Sequence, residues 1–230
     1  DLGSVDMARS AIRRGADINM KYPSGTTALH HAVWFTVWGG ANAKIVKLLI
    51  DEGADINVRN DSGKTPLNTA SGRLNVEAVK LLLDAGADPN LLETTGFEGS
   101  NIHNTLRCVT TTRTALSKPP GCGVYGQPKE ELLAKAKEII RLLLEHGANP
   151  NVKPNVWLRR TPLIEVGANL TTEDDLARLL IEHGADPNLT DEEGKTALDY
   201  AYERKDNVYL IDGSNIYGTQ VYNYLSSIAE

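Results

Sequence analysis

"VRNDSGKTPLNTASGRLNVEAVKLLLDAGADPN", residues 58–90, decides the fold. Thr65 offers a hydroxyl at a helix N-cap, and Pro66, with its φ preset, suits the first helical position. Val76, Val79, Leu82 and Leu83 recur three and four apart, so a second helix carries one apolar face. Gly86 stands just past that helix, where a left-handed residue closes the last turn and a Cβ would be penalised. Two short helices cannot bury that face by themselves, so the unit needs neighbours.

The chain supplies them. The closing phrase recurs as "RRGADIN" at 13–19, "DEGADIN" at 51–57, "DAGADPN" at 84–90, "EHGANPN" at 145–151 and "EHGADPN" at 182–188. Its glycines, at 15, 53, 86, 147 and 184, are spaced by 38, 33, 61 and 37 residues. An opening phrase follows each after a short gap: "GTTALHHA" at 25–32, "GKTPLNTA" at 63–70, "TRTALS" at 112–117, "RRTPLIEV" at 159–166 and "GKTALDYA" at 194–201. Together they resemble the ankyrin repeat, a 33-residue unit with T-P-L-H-x-A before its first helix and G-A-D-x-N after its second. The resemblance covers essentially the whole chain. It implies an all-α fold: an ankyrin-repeat solenoid of helix-turn-helix units joined by short β-hairpin connections. The expected layout is one domain, 1–230, with repeats at 1–19 (partial), 20–57, 58–90, 91–151, 152–188 and 189–230, the last serving as a C-terminal cap.

Three repeats are longer than the unit. Aligned on the cap threonines and closing glycines, the second and fifth carry small surpluses, and the fourth carries two large ones. With Thr114 as its cap, the fourth repeat places 16 extra residues in the hairpin loop before it, around "LETTGFEGSNIHNTLRCVTT", and 12 between its helices, within "SKPPGCGVYGQPKEE" at 117–131. Long surface insertions cost little closure entropy, so both are expected to leave the stack intact. Each insertion contains one of the two cysteines, Cys108 and Cys122, which are read as free thiols because two cysteines make no disulfide framework.

Composition bounds the function. The 230 residues are 41% hydrophobic and 23% charged, ordinary for a folded chain. The net charge of −6, with basic residues scattered, disfavours nucleic acid as a partner. No apolar run approaches the ~20 residues that span a bilayer, and the start has no apolar h-region, so neither a membrane nor a secretory route is expected. A cytoplasmic location is the expectation, or delivery into a host cell if the protein is microbial. The chain does not begin with Met, and a fragment of a longer protein is one expectation.

No phosphate-cradling glycine motif, nucleophile elbow or His-x-x-x-His pair occurs, so neither enzyme activity, cofactor nor metal is expected. His146 and His183 precede closing glycines and are read as helix-end residues, and His30 fills the histidine position of T-P-L-H. What the family resemblance implies instead is a monomer that binds another protein through hairpin tips and the concave face of the first helices. Carried over by position, the candidates are Tyr22, Ser24, Thr26 and Trp34 in the second repeat and Arg59, Asp61, Ser62, Lys64 and Ser71 in the third. The fifth repeat adds Trp157 and Arg160, and the sixth Glu192, Glu193, Lys195 and Tyr202. Trp157 beside two arginines has the composition enriched in binding hot spots. Trp34, Phe35 and Trp38 form the most apolar departure from the repeat, read chiefly as a cover for the incomplete first repeat. Alternatives kept open are contact through the fourth-repeat loops, a docking segment of a larger enzyme or microbial effector, and hydroxylation of Asn57, Asn90 or Asn188.

Overall fold

A computed structural model describes residues 2–34, 41–93, 101–110, 129–153, 159–169, 174–205 and 218–228. Among them are eleven α-helices and no strand: α1 Leu2–Arg13, α2 Ala28–Trp34, α3 Ala41–Asp51, α4 Pro66–Ser71, α5 Val76–Asp84, α6 Asn101–Thr110, α7 Lys129–Glu145, α8 Pro162–Asn169, α9 Asp175–Glu182, α10 Ala197–Lys205 and α11 Gly218–Ile228. Two compact units hold them, residues 1–147 and 148–230. The hairpin connections are tight turns. In the third repeat Asn60 N–H donates to Lys64 O (3.0 Å) and Gly63 N–H to Asn60 O (2.8 Å).

In the first unit α2, α4 and α6 pack side by side as one layer, and α1, α3, α5 and α7 form a second layer against it. Val46, Leu82, Ile139, Ile140 and Leu143 of the second helices are essentially without solvent contact, as are Leu29 and Leu67 of the first. In the second unit α8 packs on α9 and α10, and α11 closes on α10 and α9 through Val221 and Leu225. Gly167 of α8 meets the backbone of Ala197 so closely that a Cβ would strike its carbonyl oxygen.

The repeated phrases act locally as expected. Thr65 Oγ1 accepts from Asn68 N–H (3.1 Å), and Asn68 Oδ1 accepts from Thr65 N–H (2.9 Å), a reciprocal cap for α4. Thr196 and Asp199 form the same pair at α10. Gly15, Gly53, Gly86, Gly147 and Gly184 all have φ between 83° and 91°. The closing Asn does more than end a turn. Asn19 Oδ1 accepts from Asp55 N–H (2.8 Å), Asn57 Oδ1 accepts from Asp88 N–H (3.0 Å), and Asn90 Nδ2 donates to Gly147 O (2.9 Å). In the second unit Asn151 Oδ1 accepts from Asp186 N–H (2.8 Å) and its Nδ2 donates to Gly184 O (2.8 Å). Within each unit these bonds tie successive closing turns together.

The fourth repeat corrects the sequence alignment. A helix ahead of Thr114, α6, packs on α4 and α7 as a first helix does, and the residues that follow Thr114 lie outside the described ones. "NIHNTL" at 101–106 takes the place of "PLNTAS" at 66–71, with Ile102 buried where Leu67 is. Measured from the helix starts Pro66 and Asn101, the stretch from the closing glycine to the first helix is longer by 2 residues and that from the first-helix start to the next closing glycine by 26, where the alignment on Thr114 divides the surplus as 16 and 12; the 26 include the longer helices α6 and α7. Of its described side chains, those of 101–105, α6 buries Asn101, His103, Asn104 and Thr105 alongside Ile102. Asn68 Nδ2 donates to Asn101 Oδ1 (3.0 Å), Asn101 Nδ2 to Pro89 O (2.8 Å) and Thr105 Oγ1 to Asn101 O (3.0 Å), so the buried groups satisfy one another. The stretch 117–128 and the side chains of Cys108 and Cys122 lie outside the described residues.

His30 is buried and bonded on both nitrogens. Nδ1 accepts from Thr27 N–H (3.2 Å), which leaves the proton on Nε2 to be donated to Lys64 O (2.9 Å) in the next hairpin. Burial, chiefly, depresses its pKa. Between that depressed value and the ordinary ~6.5 the unfolded chain binds the extra proton, so His30's contribution to stability is present above about pH 6.5 and is lost as pH falls below it. His30→Asn, the residue that does this work at position 68, should fold and flatten the pH dependence of stability between about pH 7 and 5 relative to wild type, as read by denaturant unfolding. A variant that loses stability on acidification as steeply as wild type would disprove the assignment. Glycine substitutions should separate two costs. Gly53→Ala meets nothing within 4 Å and should cost only the left-handed strain, about 1–2 kcal/mol. Gly25→Ala adds a collision with Asp61, whose backbone N lies 2.6 Å from the new Cβ, and should cost at least about 1 kcal/mol more.

Candidate partner-binding surface

The hairpin tips are rigid because each is bonded to itself and to its neighbour. Gly25 N–H donates to Tyr22 O (2.8 Å), Tyr22 N–H to Thr26 O (2.8 Å), and Ser24 O accepts from Asp61 N–H (3.1 Å) of the next tip. Asn60 Oδ1 accepts from the amides of Ser62 and Lys64, both at 3.0 Å, and so fixes the turn that presents Asp61 and Ser62 to solvent. The charged stems beside these tips are held by carbonyls. Lys21 Nζ donates to Arg59 O (3.2 Å), and Arg59 Nη1 donates to Gly63 O (2.8 Å) and to Leu92 O. Lys64 Nζ lies 3.3 Å from Glu93 Oε1.

Behind the tips the exposed side of α2 is aromatic. Tyr22 is 46% exposed and Trp34 45%. His31 sets its ring edge-on to Tyr22, with centroids 5.0 Å apart, and its Nε2 lies 3.2 Å from Thr26 Oγ1. His31 and Trp34 are three residues apart on α2 and so share a face. The Arg73 guanidinium stacks 3.4 Å above the Trp34 ring, joining the end of α4 to α2. Of the sequence candidates, Tyr22, Arg59, Asp61, Ser62 and Lys64 lie on two hairpins bonded to each other, with His31 against Tyr22, while Trp34, at the end of α2, lies under Arg73. Neither His31 nor Arg73 carried a sequence signal, because His31 meets the hairpin of its own repeat and Arg73 a ring of the preceding one only through packing.

In the second unit Asp191 takes the place of Asn60. Its carboxylate, shielded from solvent, accepts from the Tyr200 hydroxyl (2.7 Å) and from the amides of Glu193 (2.9 Å) and Lys195 (3.1 Å), and Arg160 Nε approaches to 3.5 Å. Burial works to raise its pKa, but the Tyr200 hydroxyl, the two amides and Arg160 outweigh that and hold it below the ordinary carboxylate range. The Tyr200 hydroxyl is pushed up, by burial first and by Asp191 next. Arg160 lies over the Tyr200 ring at 4.3 Å, so its guanidinium is committed within the unit. Glu192 and Glu193 are exposed at the tip. Tyr202 is exposed on α10 and leans on Tyr222, with centroids 5.8 Å apart. Trp157, Phe35 and Trp38 lie outside the described residues.

The remaining histidines have local partners. His146 Nδ1 and His183 Nδ1 each lie 2.8 Å from the carbonyl four residues back, Leu142 and Leu179. Among the described residues no group of three His, Cys, Asp or Glu is placed to hold a metal ion, and no helix is long and apolar enough to cross a membrane.

The same architecture recurs in known proteins. A family model for ankyrin repeats, in three copies, matches residues 1–93 and 132–217. An ankyrin repeat domain from Acinetobacter baumannii superimposes with a TM-score of 0.70 at 20% identity, covering 99% of this chain and 94% of that one. The ankyrin repeat protein EF0377 gives 0.69 at 22% identity, covering 98% and 95%. A chain from the complex of a predatory endopeptidase of Bdellovibrio bacteriovorus with an immunity protein gives 0.61 at 23%, covering 98% and 93%. No curated protein matches in sequence. At these identities the structural likeness carries the fold alone. The repeat phrases, the two-layer helix packing and a family model matching most of the residues lead to one conclusion: the chain belongs to the ankyrin repeat family.

Proposed function

We propose that this chain is a protein-interaction module that engages a partner protein through the hairpin tips and the exposed side of the first helices. Ankyrin repeats are generally protein–protein interaction modules, and the fold is typically not catalytic. The observation that carries the placement is the aromatic surface of the first unit, where Tyr22 and Trp34 remain exposed although the layers beneath are closed. Large rings left in water on a rigid support favour association, and Trp, Tyr and Arg dominate interface energetics. One of the structurally similar chains comes from a complex of an endopeptidase with an immunity protein, which agrees with a role in protein binding.

A second reading has the fourth-repeat insertion make the contact. It is favoured by the size of that insertion: 18 residues, 111–128, separate α6 from α7, against 4 between α4 and α5.

The two readings separate in a capture experiment using the chain as bait. A Tyr22→Ala/Trp34→Ala variant should weaken partner binding at least tenfold, about 1.4 kcal/mol or more. A variant with 111–128 replaced by a short Gly-Ser linker should bind as wild type does. The reverse outcome would move the site to the insertion.

A further inference from the structure

α1 is the second helix of a repeat whose first helix is not among the described residues. It leads to the closing Gly15 and packs on α3, whereas α3, α5, α7 and α9 each also pack on the first helix of their own repeat, α2, α4, α6 and α8. Counted back from the closing glycine, Met7 stands where Ala78, Ile139 and Leu176 stand, and Ala11 where Leu82, Leu143 and Leu180 stand. Those six side chains are at most 1% exposed, while Met7 is 70% exposed and Ala11 is exposed one turn further on. Val5, on the opposite side of the helix, is buried. The outer side of α1 is thus a stacking face left open to solvent.

The charges of α1 are as particular to this repeat as its exposure. Two residues before the closing glycine the other repeats carry an acid, Asp51, Asp84, Glu145 or Glu182, and this one carries Arg13. The negative end of a helix favours a cation equally in all five, so it does not account for the difference. Asp6 lies seven residues before Arg13, and the two therefore share one flank of the outer side, beside the row formed by Met7 and Ala11. Both are exposed, and neither has an ion pair among the described residues. A helix with an acid and a base at the two ends of one flank is complementary to its own antiparallel copy. Like flanks of the two helices face each other with their ends exchanged, so Asp6 of each meets Arg13 of the other.

We propose that α1 is an interface between two copies of this chain, a twofold contact in which Met7 and Ala11 of one α1 pack on those of the other and two Asp6–Arg13 pairs flank them. Alanine at 11, where α5, α7 and α9 have leucine, lets the helices approach closely, and the unbranched methionine fills an uneven seam. The occupant is a second copy rather than an unlike helix because the charge pattern is complementary to itself. The contact is independent of the protein-binding reading above, and it replaces the monomer that the family resemblance implies. One helix from each copy makes a small interface, so the dimer is weak and its population depends on concentration.

Sedimentation velocity on the intact chain, over a concentration series reaching about 100 μM, reads the association state. Wild type should pass reversibly from monomer to dimer. Met7→Glu/Ala11→Glu, at two exposed positions, should stay monomeric while its melting, followed by circular dichroism, changes little. Asp6→Arg and Arg13→Asp each set like charges against one another across the contact and should each dimerise at least about tenfold more weakly. Arg13→Asp introduces the type of residue that the other four repeats carry at this place, which keeps the fold out of question. Mixed in equal amounts, these two charge variants should regain association near that of wild type, because each supplies the charge the other lacks. A chain that is monomeric throughout the series would overturn the proposal and leave this face to an unlike helix. A dimer that survives Met7→Glu/Ala11→Glu would overturn it by placing the contact elsewhere. Charge variants that associate no better together than apart would overturn the antiparallel pairing on which it stands.

Discussion

A helix pair of this size has more apolar face than it can cover itself, and everything else in the molecule follows from that deficit. Val79 and Leu82 on α5 are sealed only because α3 and α7 lie on either side. Stability is therefore shared between repeats and their interfaces rather than contained in any one of them. The closing Asn is the polar counterpart of this packing. By giving its amide to, or accepting from, the next repeat's backbone, it fixes the register at which the apolar faces meet.

Because the layers close on themselves, function is left to what the stack presents at its edges. The hairpin tips are bound by their own turns and by each other, so they offer side chains on a support that loses little entropy on binding. Asn60 and Asp191 perform the same turn-fixing work with different chemistry. The neutral amide fixes the hairpin of the third repeat, while the carboxylate in the second unit is held ionised by Tyr200, two amides and Arg160. The same turn is thus fixed by an amide in one unit and by a carboxylate in the other.

Much of this was legible in the sequence because a repeat writes its constraints several times over. Thr65 and Pro66 announce a helix start, and Gly86 a helix end, through local backbone physics that needs no tertiary context. The fourth repeat was misread for a physical reason. Apolar periodicity finds buried faces that are apolar, and α6 buries Asn101, His103, Asn104 and Thr105 beside a single described apolar side chain, Ile102. Its polar side chains find partners that the sequence cannot reveal, while "RTALS" at 113–117 imitates the opening phrase. The same limit applies to the binding surface. Tyr22 and Trp34 could be placed by position in the repeat, but Arg73 over Trp34 and His31 against Tyr22 are contacts between side chains whose meeting depends on packing.

The central claim is that the exposed face of the first helices and their hairpins, rather than the insertions or the opposite layer, carries recognition. Hydrogen exchange read by mass spectrometry on the chain with and without its purified partner tests it most directly. The account predicts slowed exchange in peptides covering 20–34 and 58–73, with 111–128 and the outer side of α3 and α5 unchanged. Protection confined to 111–128, or to the second-helix layer, would contradict it.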